Sequence, residues 1–131
     1  MIAAACTSSM RALAAVRIDG IVGTIPTVRG MNLRPDTLPE GTPLMLAGFP
    51  RAGEVREGVA ARAALSPATL AGVRGGRVEM YARSSVGASG SPVFDANGQV
   101  VAILFGGSPR AARPLLYGVP ASEVAQLLGD P

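Results

Sequence analysis

"VGASGSPVFDANGQVVAI", residues 86–103, decides how this chain folds. Ser89 stands among glycines, with Gly87 before it and Gly90 after it. Two β-patterned runs follow, "SPVFD" (91–95) and "QVVAILFG" (99–106), joined by "ANG". Asn97-Gly98 is a strong hairpin signal, because both residue types accept the positive φ that a tight turn demands. A serine between glycines also occurs on the Gly-x-Ser-x-Gly elbow between a strand and a helix. Here Ser91 holds the last position of that pattern, and Pro92 leads into a strand pattern instead of a helix. The elbow is therefore excluded by its context.

Outward from this stretch, the sequence predicts four more strands. "PLMLAGFP" (43–50) is closed by Pro50. "EVREGVAARAAL" (54–65) carries Gly58 as a bulge or bend. "GRVEMYAR" (76–83) alternates, with Val78, Met80 and Ala82 on one face. "PLLYGVP" (114–120) is the sixth strand of the set. "PASEVAQLLGD" then predicts a helix, capped by Ser122, apolar at Val124, Leu127 and Leu128, and stopped by Gly129. Towards the start, "ALAAVRID" (12–19) suits a buried strand or a helical turn equally, and periodicity leaves both open. Residues 1–11 read as a ragged end. Residues 19–43 contain Gly20, Gly23, Pro26, Gly30, Pro35, Pro39, Gly41 and Pro43, and so form a connector. The expected fold class is all-β: a six-stranded antiparallel barrel over 41–131 with a C-terminal helix, preceded in 1–40 by the remnant of something larger.

Composition narrows the chemistry. With 131 residues, 48% hydrophobic and 16% charged, the chain suits one domain with a real core. Net charge is +3, and every basic residue is arginine. The arginines are scattered and aromatics make up 4%, which argues against nucleic acid as a partner. No lysine means no Walker phosphate loop. A single cysteine, Cys6, and no histidine exclude an intrachain disulfide and an ordinary zinc site, and no motif in the sequence implies a metal or cofactor. No segment approaches the ~20 apolar residues of a membrane span. "MIAAAC" lacks the basic start and apolar run of a lipoprotein export signal.

Residues from about 40 to 131 resemble the C-terminal half of bacterial trypsin-like, HtrA-type serine proteases. "LPEGTPLMLAGFPRAGEVREGVAAR" is similar to the opening strands of that family's second barrel. "VGASGSPVFDANGQVVAI" is similar to its nucleophile loop and following hairpin, and "LLYGVPASEVAQLL" to its last strand and terminal helix. The resemblance implies a Greek-key barrel, a trypsin-like second lobe, with 1–40 a remnant of the first barrel and the interlobe connector. It implies serine endopeptidase chemistry through an acyl-enzyme at Ser89, with the Gly87 and Ser89 amides as oxyanion donors worth about 3 kcal/mol each. Arg83 falls at the level of the primary pocket floor, where it would favour acidic side chains, or else points to solvent from a strand end. Phe105, Gly106, Gly107, Tyr117 and Gly118 fall at the pocket walls. A periplasmic or secreted setting is also implied.

Two family features are absent. The histidine base has no counterpart, because the chain contains none. The strand that begins with the family's aspartate matches "ALAAVRI" (12–18), where Ala12 stands in its place. Ala88 stands where digestive and clotting members carry an aspartate that pairs with a freed N-terminus, so zymogen activation of that kind is not expected. The chain is therefore expected to be inactive alone, as a fragment of a longer protease or as a pseudoprotease that binds peptides. Its expected partners are a peptide or protein substrate and the first barrel it lacks, with self-association through the exposed interlobe face.

Overall fold

The computed structural model describes residues 2–7, 11–16, 20, 29–48, 64–82, 89–108 and 114–129. Strands β1 (Ile2–Thr7) and β2 (Arg11–Val16) form a two-stranded antiparallel sheet, with Ile2 opposite Val16 and Thr7 opposite Arg11. The first residues are thus an ordered strand, not a ragged end, and 12–16 resolves as strand. The register sets Ala3, Ala4 and Ala5 opposite Ala15, Ala14 and Leu13. A short 3-10 turn, Pro35–Thr37, interrupts the connector. Residues 30–32 then clasp the barrel: the Val100 amide donates to Gly30 O (3.0 Å), and the Asn32 amide donates to Val100 O (2.9 Å).

Among the described residues six strands close into a barrel: β3 (Pro43–Gly48), β4 (Ala64–Arg74), β5 (Arg77–Ala82), β6 (Pro92–Phe94), β7 (Val100–Ser108) and β8 (Leu115–Pro120). Their order around the barrel is β3-β4-β5-β8-β7-β6, with β6 pairing back onto β3, and every pair is antiparallel. The chain runs β3-β4-β5 as neighbours and then crosses so that β6 lies beside β3, which is the Greek-key arrangement. Closure removes the free edges that an open sheet would expose.

The core follows from alternation. Leu44 and Leu46 of β3, Leu70 of β4, Val78, Met80 and Ala82 of β5, Val93 of β6, and Val101 and Leu104 of β7 fill the interior. At about 1.5–3 kcal/mol per large apolar side chain, this burial is the main stabilising force. Among the described residues three bulges break the alternation. Ala71 is the extra residue against β5, Val101 against β6, and Phe105 against β8. Each adds the local twist that lets short strands curl into a closed barrel. This explains why neighbours such as Leu70 and Ala71 are both buried.

The second barrel strand is described over 64–74, and residues 54–63, most of the strand expected over 54–65, lie outside the described ones. That strand runs through Pro67 and Gly72, residue types that ordinarily weaken a strand. Pro67 is tolerated on the exposed side opposite Met45, and Gly72 follows the bulge at Ala71. The helix α1 (Ala121–Leu127) starts as expected, but Pro120 is its N-cap and no side-chain cap bond is made among the described residues. Ser122 lies inside the first turn. The helix buries Ala121 and Ala125 beside β7 and β8, whereas Leu128 is 60% exposed. Small residues let the helix approach the barrel more closely than leucines would. Gly129, at φ 76°, ends it in the left-handed conformation.

Candidate active site

The crossover from β5 to β6 spans 83–91 and carries the serine. Its first part, with Arg83, Gly87 and Ala88, lies outside the described residues. Ser89 and Gly90 form an exposed turn, where Gly90 takes a φ of 93° that other residues rarely adopt. Ser91 is buried directly after it. Two backbone bonds stitch this turn to β7: the Gly90 amide donates to Leu104 O at 2.7 Å, and the Leu104 amide donates to Ser91 O at 2.9 Å. The Ser89 hydroxyl donates to Phe105 O at 3.4 Å, a long and easily exchanged contact. An exposed serine is thus carried on a turn stitched to β7 while its own hydroxyl remains lightly engaged.

The stitching falls at the bulge. Leu104 pairs with Gly118 and Gly106 with Tyr117, so Phe105 is left over on β7. Its ring lies 6.2 Å from that of Tyr117, tilted by 34°. The structure therefore brings Ser89, Phe105, Gly106 and Tyr117 into one neighbourhood.

The three glycines named from the sequence play different parts. A side chain at Gly106 would meet no described atom within 4 Å, so this glycine opens onto space. At Gly107 a Cβ would lie 2.8 Å from Leu115 O, so its absence permits close approach of β7 and β8. At Gly118 a Cβ would lie 2.8 Å from the Ala102 Cβ and 3.4 Å from Met80 Cε, which places that face in the barrel core.

A charged cluster escaped the sequence reading. Glu79 on β5 is 5% exposed although it faces outward, opposite Tyr117 on β8. Arg74 Nη1 lies 3.4 Å from Glu79 Oε1, and Arg77 Nη2 lies 3.6 Å from Oε2. The Arg77 guanidinium also stacks 4.0 Å above the Tyr117 ring, a cation–π contact. The alternation of Val78 and Met80 implied that Arg77 and Glu79 face outward. Their meeting with Tyr117 depends on the β5–β8 pairing, which no local pattern encodes.

Residues 4–103 match the family model for a trypsin-like peptidase domain. Among solved structures, the chain is similar to the inactive form of a serine-to-alanine mutant of Rv3671c from M. tuberculosis H37Rv, with 20% identity and a TM-score of 0.55. The match covers 70% of this chain and 48% of that one, so the chain spans about half the length of the structure it resembles. At this identity the likeness bears on the fold. No curated protein matches.

Proposed function

The chain belongs to the trypsin-like peptidase domain family, and from that premise we propose that it is the nucleophile-bearing barrel of a serine endopeptidase that does not hydrolyse peptides by itself. Ser89 is the nucleophile: its Oγ attacks the scissile carbonyl as its proton passes to a histidine that a docked first barrel would supply, and the carbonyl oxygen becomes an oxyanion facing the amides of Gly87 and Ser89. Collapse of that intermediate expels the amine and leaves an acyl group on Ser89, which water then removes. Each transfer needs a base that this sequence does not contain, since histidine and lysine are both absent. Losing the serine–histidine unit costs about a million-fold in turnover.

The observation that carries this reading is the Ser89 turn, exposed and stitched to β7 with its hydroxyl 3.4 Å from Phe105 O. A fluorophosphonate probe tests it. The chain alone should neither turn over a casein-type substrate nor label faster than Ser89→Ala. Labelling at Ser89 should appear when a first barrel carrying histidine is docked and aspartate replaces Ala12. Casein turnover by the unaided chain, lost in Ser89→Ala, would refute the inactivity. A structurally verified docked complex that still fails to label would refute Ser89 as nucleophile.

The complete lack of histidine favours one second reading, a peptide-binding module. Peptide addition along a strand uses backbone hydrogen bonds and requires no base. Under that reading, peptides bind the chain reversibly, and the phosphonate remains unreacted even in the docked complex.

A further inference from the structure

Arg77 is only partly engaged by the residues around it. Its guanidinium is stacked on Tyr117, and its ion pair with Glu79 is long at 3.6 Å. Its Nε is buried with no hydrogen-bond partner among the described residues. Glu79 is shared with Arg74, so among the described residues two guanidinium groups face one carboxylate and one positive charge is left over. The Arg77 side chain is 40% exposed, which leaves donors accessible to a ligand.

This surplus charge adjoins an open position. Glu79, Tyr117 and Gly106 form one row across β5, β8 and β7. Directly paired residues on antiparallel strands present their side chains on the same face. The missing side chain of Gly106 therefore leaves a notch on the face that carries Tyr117 and Arg77, and no described atom fills it within 4 Å. The Phe105 ring, turned by the bulge to within 6.2 Å of Tyr117, forms a second apolar wall. The notch adjoins the carbonyl that the Ser89 hydroxyl contacts, because Phe105 directly precedes Gly106 in the chain.

We infer that this notch takes an acidic side chain of an extended peptide, with Arg77 as the residue that selects it. Methylene groups of a glutamate lie against the Phe105 and Tyr117 rings. The carboxylate meets the guanidinium, whose planar fork matches it in geometry. Stacking on Tyr117 pre-orients Arg77, so little side-chain freedom is lost on binding. The inference rests on the peptidase reading above and names the substrate class of its site.

The test measures binding and so does not depend on turnover. Two fluorescein-labelled, end-blocked tetrapeptides differing only in Glu against Gln are titrated into the full chain and followed by anisotropy. The Glu peptide should bind about tenfold more tightly, the scale of one charge-assisted contact. Arg77→Gln should bring the two affinities to within about twofold by weakening the Glu peptide alone. Gly106→Leu should fill the notch and weaken both. Equal binding of the two peptides by the native chain, or a preference that persists in folded Arg77→Gln, overturns the inference but leaves the peptide groove standing. No binding of either peptide overturns both. Should Arg77→Gln fail to fold, the native Glu-to-Gln ratio and Gly106→Leu still decide the matter.

Discussion

Gly106 and Gly118 occupy neighbouring strands, yet each lacks a side chain for a different physical reason. At Gly118 the space is already filled by Ala102 and Met80, with a virtual Cβ 2.8 Å from the Ala102 Cβ. Contacts that short do not relax inside a closed barrel, whose interior is packed as densely as an organic crystal. Gly118→Val should therefore destabilise the protein by about 3 kcal/mol through overpacking. Gly106→Ala meets no atom and should leave stability within about 0.5 kcal/mol of the native chain. Urea unfolding of the two variants separates these outcomes. Comparable losses at both positions would mean that Gly106 is structural and that no notch exists beside Tyr117.

At the scale of elements, two hairpins whose turns are described are held by different devices. The β4–β5 hairpin turns on Gly75 and Gly76, at φ 59° and 71°, the mirror-image conformation that matches strand twist. The β6–β7 hairpin turns through Ala96–Gly98, closed by the Asp95 amide donating to Gln99 O at 3.0 Å. Gly98 supplies the positive φ, at 77°. The Asp95 Oδ1 atom accepts from both the Asn97 amide (2.9 Å) and the Gln99 amide (3.0 Å). Asp95→Ala should cost about 1–2 kcal/mol, because two amides lose their partner at a half-buried position. Asp95→Asn keeps an acceptor oxygen in place and should recover most of that loss. Equal stability of the two variants by thermal unfolding would show that the turn does not depend on the side chain. The clamp on Glu79 belongs to this scale too. Glu79→Gln leaves Arg74 and Arg77 without a counter-ion and should cost about 1–2 kcal/mol, reduced by the exposure of both arginines.

On the scale of the whole molecule, the barrel carries an apolar outer face. Met45 on β3 is 37% exposed and Leu65 on β4 is 68% exposed, and their strands pair so that Met45 meets Pro67 and Leu65 meets Ala47. Mean hydropathy is +0.34. Apolar faces of this kind draw partners once they reach several hundred Å². The purified chain should therefore self-associate at tens of micromolar, and Leu65→Glu should shift it towards monomer. Light scattering checks both. A monodisperse monomer of the unmodified chain would mean that this face is not an interface.

Sequence alone determined the elements whose pattern is local. The inward alternation of Val78, Met80 and Ala82 was legible because period-two burial is written into consecutive residues. The hairpin after Ser89 was legible because only certain residues accept the turn conformation, and the stop at Gly129 for the same reason. The lack of a histidine base is likewise a property of composition. Tertiary structure decided whatever depends on which strand lies beside which. A bulge exists only relative to a partner strand, so Ala71, Val101 and Phe105 could not be recognised as extra residues beforehand. Strand β4 passes through Pro67 and Gly72 because its neighbours supply the pairing that local propensity withholds. Arg77, Tyr117 and Gly106 are distant in the chain and share a face because β8 pairs with β5 on one side and β7 on the other. Local patterns specify elements, and only barrel closure sets the contacts between them.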